Sequence, residues 1–427
     1  MDRLRIEGQH ILRGEVPLSG SKNAALPILI SALLCKGKTV FHRVPNLSDI
    51  ETTCQLLKIL GCHVEWAHST QTCHVDATHL NSIEAPYDLV RTMRASILVL
   101  APLLARHGEA KVSLPGGCAI GTRPVDYHIQ VLEALGATFD LEGGYVHGKI
   151  KGAFRPAEYT FPFPSVGATE TALMAAATAN GKSLFKNVAR EPEIRALGNF
   201  LISLGAKIKG LGSPEIQVQG IPMANLNTKP AAHTIIPDRI EAATYWLAGL
   251  ITKGSVTTEI AAEDVQSVLD ALHLAGAKIS HLGNGKIEVS YTGKINPVSV
   301  RTEPFPGFPT DVQAQWMALM TQANGAATIA ETIFENRFMH VPELQRLGAH
   351  LKIRGNRVDV SGVTPLQGAT VMATDLRASA SLVIAALAAK GETNIRRIYH
   401  LDRGYEDLCG KLRLLGAHII REPESSQ

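Results

Sequence analysis

Two series of apolar segments alternate along the chain. The first reads SKNAALPILISALL, RTMRASILVLAPLLA, SVGATETALMAAATA, DRIEAATYWLAGLI, TDVQAQWMALMTQA and TDLRASASLVIAALA. Each opens on polar residues and continues as an alanine-rich body, apolar nearly all round, which predicts a buried helix. Each then passes through a glycine into a β-branched strand, as in GKTVFHRV and GETNIRRI. The second series is LKILGCHVEW, LEALGATFDL, LISLGAKIKG, LHLAGAKISH, LQRLGAHLKI and LRLLGAHIIR. Here leucine marks one face of a helix that stops at Gly61, Gly136, Gly205, Gly276, Gly348 or Gly416. Glycine takes the left-handed conformation that follows a helix C-terminus, and the alternating apolar residues beyond it predict a strand. These more amphipathic helices are expected nearer the surface of the helical layer.

Both series recur in step, six times, at a spacing of about 70 residues that is too long for a common solenoid. The repeated unit is helix, strand, loop, helix and further strands. A chain of 427 residues exceeds what one hydrophobic core usually serves. Three units in each of two domains is the natural division, with residues 22–232 in one domain and 1–21 plus 233–427 in the other. The start, RLRIEGQHILRGEVPL, reads as two strands before the first unit, and the sixth unit stops after LGAHII without its closing strands. The N-terminus is therefore expected to complete the last unit. The chain would cross between domains near Gly20–Lys22 and again near Thr228–Pro237.

Composition narrows the classes. Hydrophobic residues make up 45% and charged residues 19%, as in a folded protein, and 5% aromatics leave a core of aliphatic residues and alanine. A net charge of +3 without a long basic run argues against nucleic acid. The start carries no apolar signal core, and the longest apolar stretches fall short of the roughly 20 residues of a membrane span. Six cysteines in so long a chain do not form a disulfide framework. A soluble cytoplasmic protein is expected. GKT at Gly37 and GKS at Gly181 carry Ala32 and Ala176 where a phosphate-binding loop needs glycine. Cys62-His63 and Cys73-His74 fit no common zinc spacing, so neither metal nor cofactor is expected.

Candidate chemistry gathers at the polar openings. A helix N-terminus has unpaired N–H groups and a partial positive charge that attract anions. The residues there are Lys22, Asn23, Arg91, Arg94, Ser165, Asp238, Asp311, Asp375 and Arg377. Neighbouring loops add Arg123, Arg190, Glu191, Glu335, Asn336, Arg337, Asp402 and Arg403. Ser165, Asp311 and Asp375 also suit simple N-caps, whereas Arg94 reads as lying within an apolar helix. Together the arginines and acids suggest a substrate with several negative charges and a hydroxyl to be activated. SLPGGCAIGTRPVD places Cys118 on a glycine-rich loop five residues before Arg123, a cation that favours the thiolate.

In order, SKNAALPI, TMRASI, LPGGCAIGTRPVD, SVGAT, REPEI, PDRIE, FPTDVQAQ, FENRFMHVPEL, ATDLRAS and DRGYE span nearly the whole chain. They closely resemble the UDP-N-acetylglucosamine branch of the enolpyruvyl transferase family, which also includes the shikimate-pathway enzyme. The resemblance implies an inside-out α/β barrel in two domains, three βαβαββ-type repeats in each, with substrates in the cleft between. It implies transfer of the enolpyruvyl group of phosphoenolpyruvate to the 3′-hydroxyl of UDP-N-acetylglucosamine, with release of phosphate, as the first committed step of peptidoglycan synthesis.

By the same resemblance, Lys22 and Asn23 would bind phosphoenolpyruvate, and Arg123 and Arg403 would hold its phosphate. Arg337 and Arg377 would face its carboxylate and the bound intermediate, as bidentate donors suit a trianion. Asp311 would accept the sugar hydroxyl proton, with Asp375 a second carboxylate near the reacting carbons. Arg94, Arg123, Pro124, Val125, Asp126, Tyr127, Ser165, Val166, Gly167 and Ile333 match the nucleotide-sugar site. Cys118 would protonate the methylene carbon, its thiolate can add to phosphoenolpyruvate, and an epoxide phosphonate such as fosfomycin would attack it. Two positions depart from the pattern: Phe163 stands where some relatives carry lysine, and Tyr127 where an aliphatic residue packs near the uracil. The alternatives are the shikimate-pathway transferase, which needs no loop thiol, and a non-catalytic ring-shaped clamp, which needs basic helix faces this chain lacks.

Overall fold

All six alanine-rich segments are helical in the computed structural model, which describes residues 2–91, 93–114, 125–225 and 231–424, with Arg94 and Ala224 described by their backbone only. Four of these segments begin as α-helices behind a capping side chain. They are Lys22–Ser31 behind Ser21, Val166–Ala176 behind Ser165, Arg239–Ile251 behind Asp238 and Leu376–Ala388 behind Asp375. The cap oxygen accepts from first-turn N–H groups that the helix itself leaves unpaired. The other two open on a 3-10 turn, Arg94–Val99 before Leu100–His107 and Thr310–Val312 before Gln313–Met320. Arg94, read as lying within an apolar helix, stands at the opening of one. It is the first residue of a 3-10 stretch, after extended Met93 (φ −142°, ψ 107°). Pro102 supplies a reason, since it has no N–H to give the Leu98 carbonyl and the α-helical ladder is interrupted there.

Residues 240–251, 313–320 and 377–387 are buried without a break, as apolarity on all sides requires. The leucine-faced helices are one-sided. Gln266–Leu274 buries Val268, Leu269, Ala271 and Leu272, and leaves Leu274 exposed. The six glycines that end this series have φ of +106°, +99°, +112°, +90°, +96° and +100° in chain order. At Gly348 the glycine N–H bonds to Gln345 O at 2.9 Å and the Ala349 N–H to Leu344 O at 3.1 Å, the paired bonds of a Schellman end. Beyond its chain neighbours, a Cβ at Gly348 would meet nothing nearer than Pro365 O at 3.7 Å. Gly348→Ala should therefore cost only backbone strain, about 1–2 kcal/mol. Calorimetry should show a fall in Tm of a few degrees, and an unchanged Tm would count against the assignment.

Among the described residues the strands form six four-stranded sheets on one plan. In one of them Lys182–Lys186 has Glu158–Thr160 parallel on one side and Glu215–Gln219 antiparallel on the other, with Lys207–Lys209 antiparallel beyond that. The chain order there is edge strand, core helix, strand, outer helix and hairpin, a βαβαββ unit.

The chain divides into two compact units, residues 2–19 with 237–424 and residues 20–114 with 125–236. Each has three of the sheets and its own core, the first around Trp246, Trp316 and Tyr245, the second around Phe41, Phe185 and Phe200. The edge strands are exchanged where the chain passes between units. Arg13–Glu15, before the first core helix, pairs with Ser255–Glu259, while Ala231–Thr234, before the fourth, pairs with Lys38–His42. Asp2–Glu7 lies antiparallel between Glu392–Arg396 and His418–Pro423 and supplies the strand that the sixth repeat lacks. Among the described residues no helix is long and apolar enough to cross a membrane.

Candidate active site

In the unit that holds residues 237–424, one carboxylate is gripped by two guanidinium groups. Asp311 lies in the 3-10 turn after Pro309, and its carboxylate does not cap the helix behind it. Arg337 Nη2 donates to its Oδ1 at 2.7 Å, and Arg377 Nη2 donates to its Oδ2 at 2.9 Å. Both arginine side chains are 5% exposed, against 23% for Asp311. Arg377 enters from the first turn of Leu376–Ala388, where its backbone N–H donates to Asp375 Oδ1 at 2.9 Å. Its guanidinium lies 5.5 Å from the Tyr405 ring centre, and Arg337 lies 5.0 Å from that of Phe334, both within cation–π range. The Tyr405 hydroxyl is held in turn by Thr244 at 2.9 Å and Gln315 at 3.2 Å.

The electrostatics of this cluster follow from its count of charges. Burial alone would raise the Asp311 pKa, but Arg377 and then Arg337 outweigh it and hold the carboxyl well below the usual carboxylate range. Burial opposes the charge of Arg377 as well, and Asp311 reverses that and raises its pKa. The two guanidinium groups share this one carboxylate. Arg337 Nε and Arg377 Nη1 are also buried without a hydrogen-bond partner among the described residues. Buried donors of this kind are rare unless a ligand takes them, and guanidinium groups match carboxylate and phosphate oxygens. The cluster therefore suits an anionic substrate beside a carboxylate that stays ionised at neutral pH.

Other expected residues of this unit take defined places. Asp375 caps its helix through Oδ1, to Arg377 N and Ala378 N at 2.9 and 3.0 Å. Ile333 follows the Ala326–Ala330 strand, and its N–H donates to Glu331 at 2.7 Å. Arg403 ends the 3-10 turn Ile398–Arg403. Glu7, His10 and His418 form the one group with metal-ligand character among the described residues. The two imidazoles stack at 3.6 Å with planes 22° apart, a packing that does not aim their lone pairs at one ion.

In the other unit, Lys22 is the first residue of its helix and its Nζ lies 3.1 Å from Asp49 Oδ2, with both side chains largely buried. Asn23 follows it in the same first turn. Ser165 caps Val166–Ala176 through Ala168 N, and its carbonyl accepts from Thr169 Oγ1 at 2.8 Å. Gly167 lies against His128, where a Cβ would come within 3.0 Å of Cε1. Burial pushes the His128 pKa down to about 4, so the ring is neutral at pH 7, and its Nδ1 lies 2.7 Å from Thr171 Oγ1. Asp126 and Tyr127 open the Asp126–Ala134 helix behind Val125, with Tyr127 packed against the core. The Phe163 side chain is exposed. Cys118, Arg123, Pro124 and the Arg94 side chain lie outside the described residues.

Sequence reasoning did not single out Asp49, His128 or Glu331. Asp49 in NLSDI carries only the signal of an acid in a helix first turn, and nothing local marks the other two.

The remaining cysteines sharpen the case for Cys118. Cys35, Cys54, Cys62 and Cys73 are buried and Cys409 is half-buried. Burial pushes Cys62 up to about 12 and Cys409 up to about 11. Burial also raises Cys35, and Cys54 is raised by its hydrogen bond to Cys73 and by burial. Thiols with raised pKa are poor nucleophiles at neutral pH. An epoxide phosphonate is thus expected to label the native protein at Cys118 alone. Peptide mass mapping would check this, and a label on Cys409 would contradict it.

The family model of EPSP synthase (3-phosphoshikimate 1-carboxyvinyltransferase) matches residues 6–412. The UDP-N-acetylglucosamine 1-carboxyvinyltransferase of Nitratidesulfovibrio vulgaris is 54% identical over 425 residues, 99% of this chain and 100% of its own. That of Beijerinckia indica is 53% identical over 434 residues, 99% of each chain. The structure of the enolpyruvyl transferase NikO from Streptomyces tendae matches with a TM-score of 0.89 at 27% identity, over 98% of each chain. EPSP synthase from Acinetobacter baumannii matches with a TM-score of 0.76 at 16% identity, over 99% of this chain and 100% of its own, a likeness of fold. Repeat plan, sequence match and structural match agree, and this chain belongs to the EPSP synthase family of enolpyruvyl transferases.

Proposed function

We propose that the chain transfers the enolpyruvyl group of phosphoenolpyruvate to the 3′-hydroxyl of UDP-N-acetylglucosamine and releases phosphate. The observation that carries the chemistry is Asp311 held at 2.7 and 2.9 Å between two buried arginines with donors to spare. The choice of acceptor rests on relatives of that activity at 54% and 53% identity over nearly the full chain.

The steps follow from the side chains. Arg337 and Arg377 turn their unpaired N–H groups to the anionic groups of phosphoenolpyruvate. This loosens their hold on Asp311 and raises its basicity toward the sugar hydroxyl. The hydroxyl oxygen attacks the carbon that bears the phosphate ester, and its proton goes to Asp311. The Cys118 thiol gives its proton to the methylene carbon, which becomes a methyl group. The addition product has no carbon–carbon double bond; its C–O bond to phosphate then breaks, phosphate leaves with the bonding electrons and takes up the proton held by Asp311, and the methyl group returns a proton to the Cys118 thiolate, which restores the enol ether. Lys22 and Arg403 neutralise charge on the phosphate as it departs. Arg94, Arg123, Tyr127 and the Ser165–Gly167 turn bind the nucleotide sugar. We place the reaction in the cytoplasm, where a reduced thiol persists.

The test is direct. Phosphate release from phosphoenolpyruvate should require UDP-N-acetylglucosamine and should not occur with shikimate 3-phosphate. Release with shikimate 3-phosphate alone would move the chain to the other branch, and DNA binding without any release would favour the clamp.

A further inference from the structure

We infer that Glu331 is a positioning residue for the acceptor half of this site: one carboxylate folds the turn that carries Ile333 and, through the Thr310 hydroxyl, aims Arg337 at Asp311. The inference rests on the function proposed above.

Glu331 follows directly on the Ala326–Ala330 strand and is 2% exposed. Its Oε1 accepts from Ile333 N at 2.7 Å, Phe334 N at 3.1 Å and Thr302 Oγ1 at 2.8 Å. Its Oε2 accepts from Thr310 Oγ1 at 2.8 Å. Two backbone N–H groups on one oxygen fix the direction of the chain as it leaves the strand. A buried carboxylate with this many donors is worth keeping only where its geometry is used, because burying a charge is costly.

The Thr310 bond reaches further. A hydroxyl has one proton, and Thr310 gives it to Glu331. Its lone pairs then face Arg337 Nη1, which donates to it at 2.7 Å. The same guanidinium holds Asp311 through Nη2 at 2.7 Å. Glu331 thus dictates which way the Thr310 proton points, and that direction decides whether Arg337 can be held there. Thr302 is arranged alike, accepting from Thr332 N at 2.9 Å while donating to Glu331.

An isosteric substitution tests this because it reverses one hydrogen bond. In Glu331→Gln the amide oxygen is required on the side of Ile333, Phe334 and Thr302, where every partner is a donor. The amide nitrogen then faces Thr310 and donates to it. The Thr310 proton is displaced toward Arg337, and two donors confront each other. Glu331→Gln is expected to raise KM for UDP-N-acetylglucosamine about tenfold and lower kcat about tenfold, and KM for phosphoenolpyruvate should rise too, because Arg337 also faces that substrate. Thr310→Val removes the hydroxyl that joins Glu331 to Arg337 and leaves the bonds to Ile333 and Phe334. It should lower kcat about tenfold with KM for the nucleotide sugar within about threefold.

A purely structural role would lower thermal stability and active fraction without this difference between the two variants in KM for UDP-N-acetylglucosamine. A KM for UDP-N-acetylglucosamine that changes alike in the two variants, or unchanged kinetics in a folded Glu331→Gln, would overturn the inference. If Glu331→Gln does not fold, an unchanged kcat in Thr310→Val overturns it. Wild-type protein that binds no UDP-N-acetylglucosamine by calorimetry would instead bring down the proposed function, and this inference with it.

Discussion

Cys118→Ser is expected to lose nearly all turnover, a fall on the order of 10³-fold within the 10²–10⁴ range of general acid catalysis. A proton must reach the methylene carbon while positive character develops on its neighbour. A thiol with an ordinary pKa of about 8.5 holds that proton at neutral pH and still gives it up readily. A serine hydroxyl is a far weaker acid and leaves a far more basic anion, so it cannot take over the step. Cys118→Asp is a sharper test of the same idea. A carboxyl donates well once protonated but is mostly ionised at neutral pH, with a pKa of about 3.9. The aspartate variant should keep part of the activity, gain rate as pH falls toward 5, and resist the epoxide. Full activity in the serine variant would end the acid role, and an aspartate variant that slows as pH falls would point away from proton donation.

Asp311→Asn should lower kcat by about 10²-fold or more, as expected for loss of a general base, and it should leave the affinity for phosphoenolpyruvate equal or stronger. The amide removes the one anion between Arg337 and Arg377, which sit at 2.7 and 2.9 Å from the two carboxylate oxygens. Two buried cations then repel each other and attract an anionic ligand more strongly. The fold should weaken by about 3 kcal/mol, the lower end of what breaking a buried ion pair costs, because the carboxylate is partly solvated.

The pH dependence gives an independent check. The folded-state pKa of Asp311 lies well below its unfolded value, so its ionised form stabilises the fold. That contribution is complete above the ordinary carboxylate pKa of about 3.9 and is lost as pH falls through the depressed folded value. The Tm difference between wild type and Asp311→Asn should therefore be full at neutral pH and shrink below about pH 4. A difference that grows toward acid would contradict the pairing.

Local signals were legible because local physics sets them. A helix that must end in a left-handed residue selects glycine, and Gly61, Gly136, Gly205, Gly276, Gly348 and Gly416 all adopt positive φ. An alanine-rich segment with no polar face has to be buried, as residues 240–251 are. Repeat number followed from recurrence, and the missing strand of the sixth repeat followed from counting elements. The exchange of edge strands was not legible, because Arg13–Glu15 and Ala231–Thr234 pair with partners more than one repeat away and carry no mark of which sheet they join.

The polar openings show the limit most clearly. Ser165, Asp238, Asp311 and Asp375 look alike along the chain, each a short polar side chain before an apolar helix. Three of them cap their helices. Asp311 turns instead to guanidinium groups 26 and 66 residues away in sequence. Sequence alone determined the repeats, the buried helices, their ends and the family, because these depend on near neighbours or on motifs carried whole. Only tertiary structure decided which carboxylate is a cap and which is held ionised, because that choice depends on cations brought within 3 Å by folding, and Coulomb energy follows distance in space rather than along the chain.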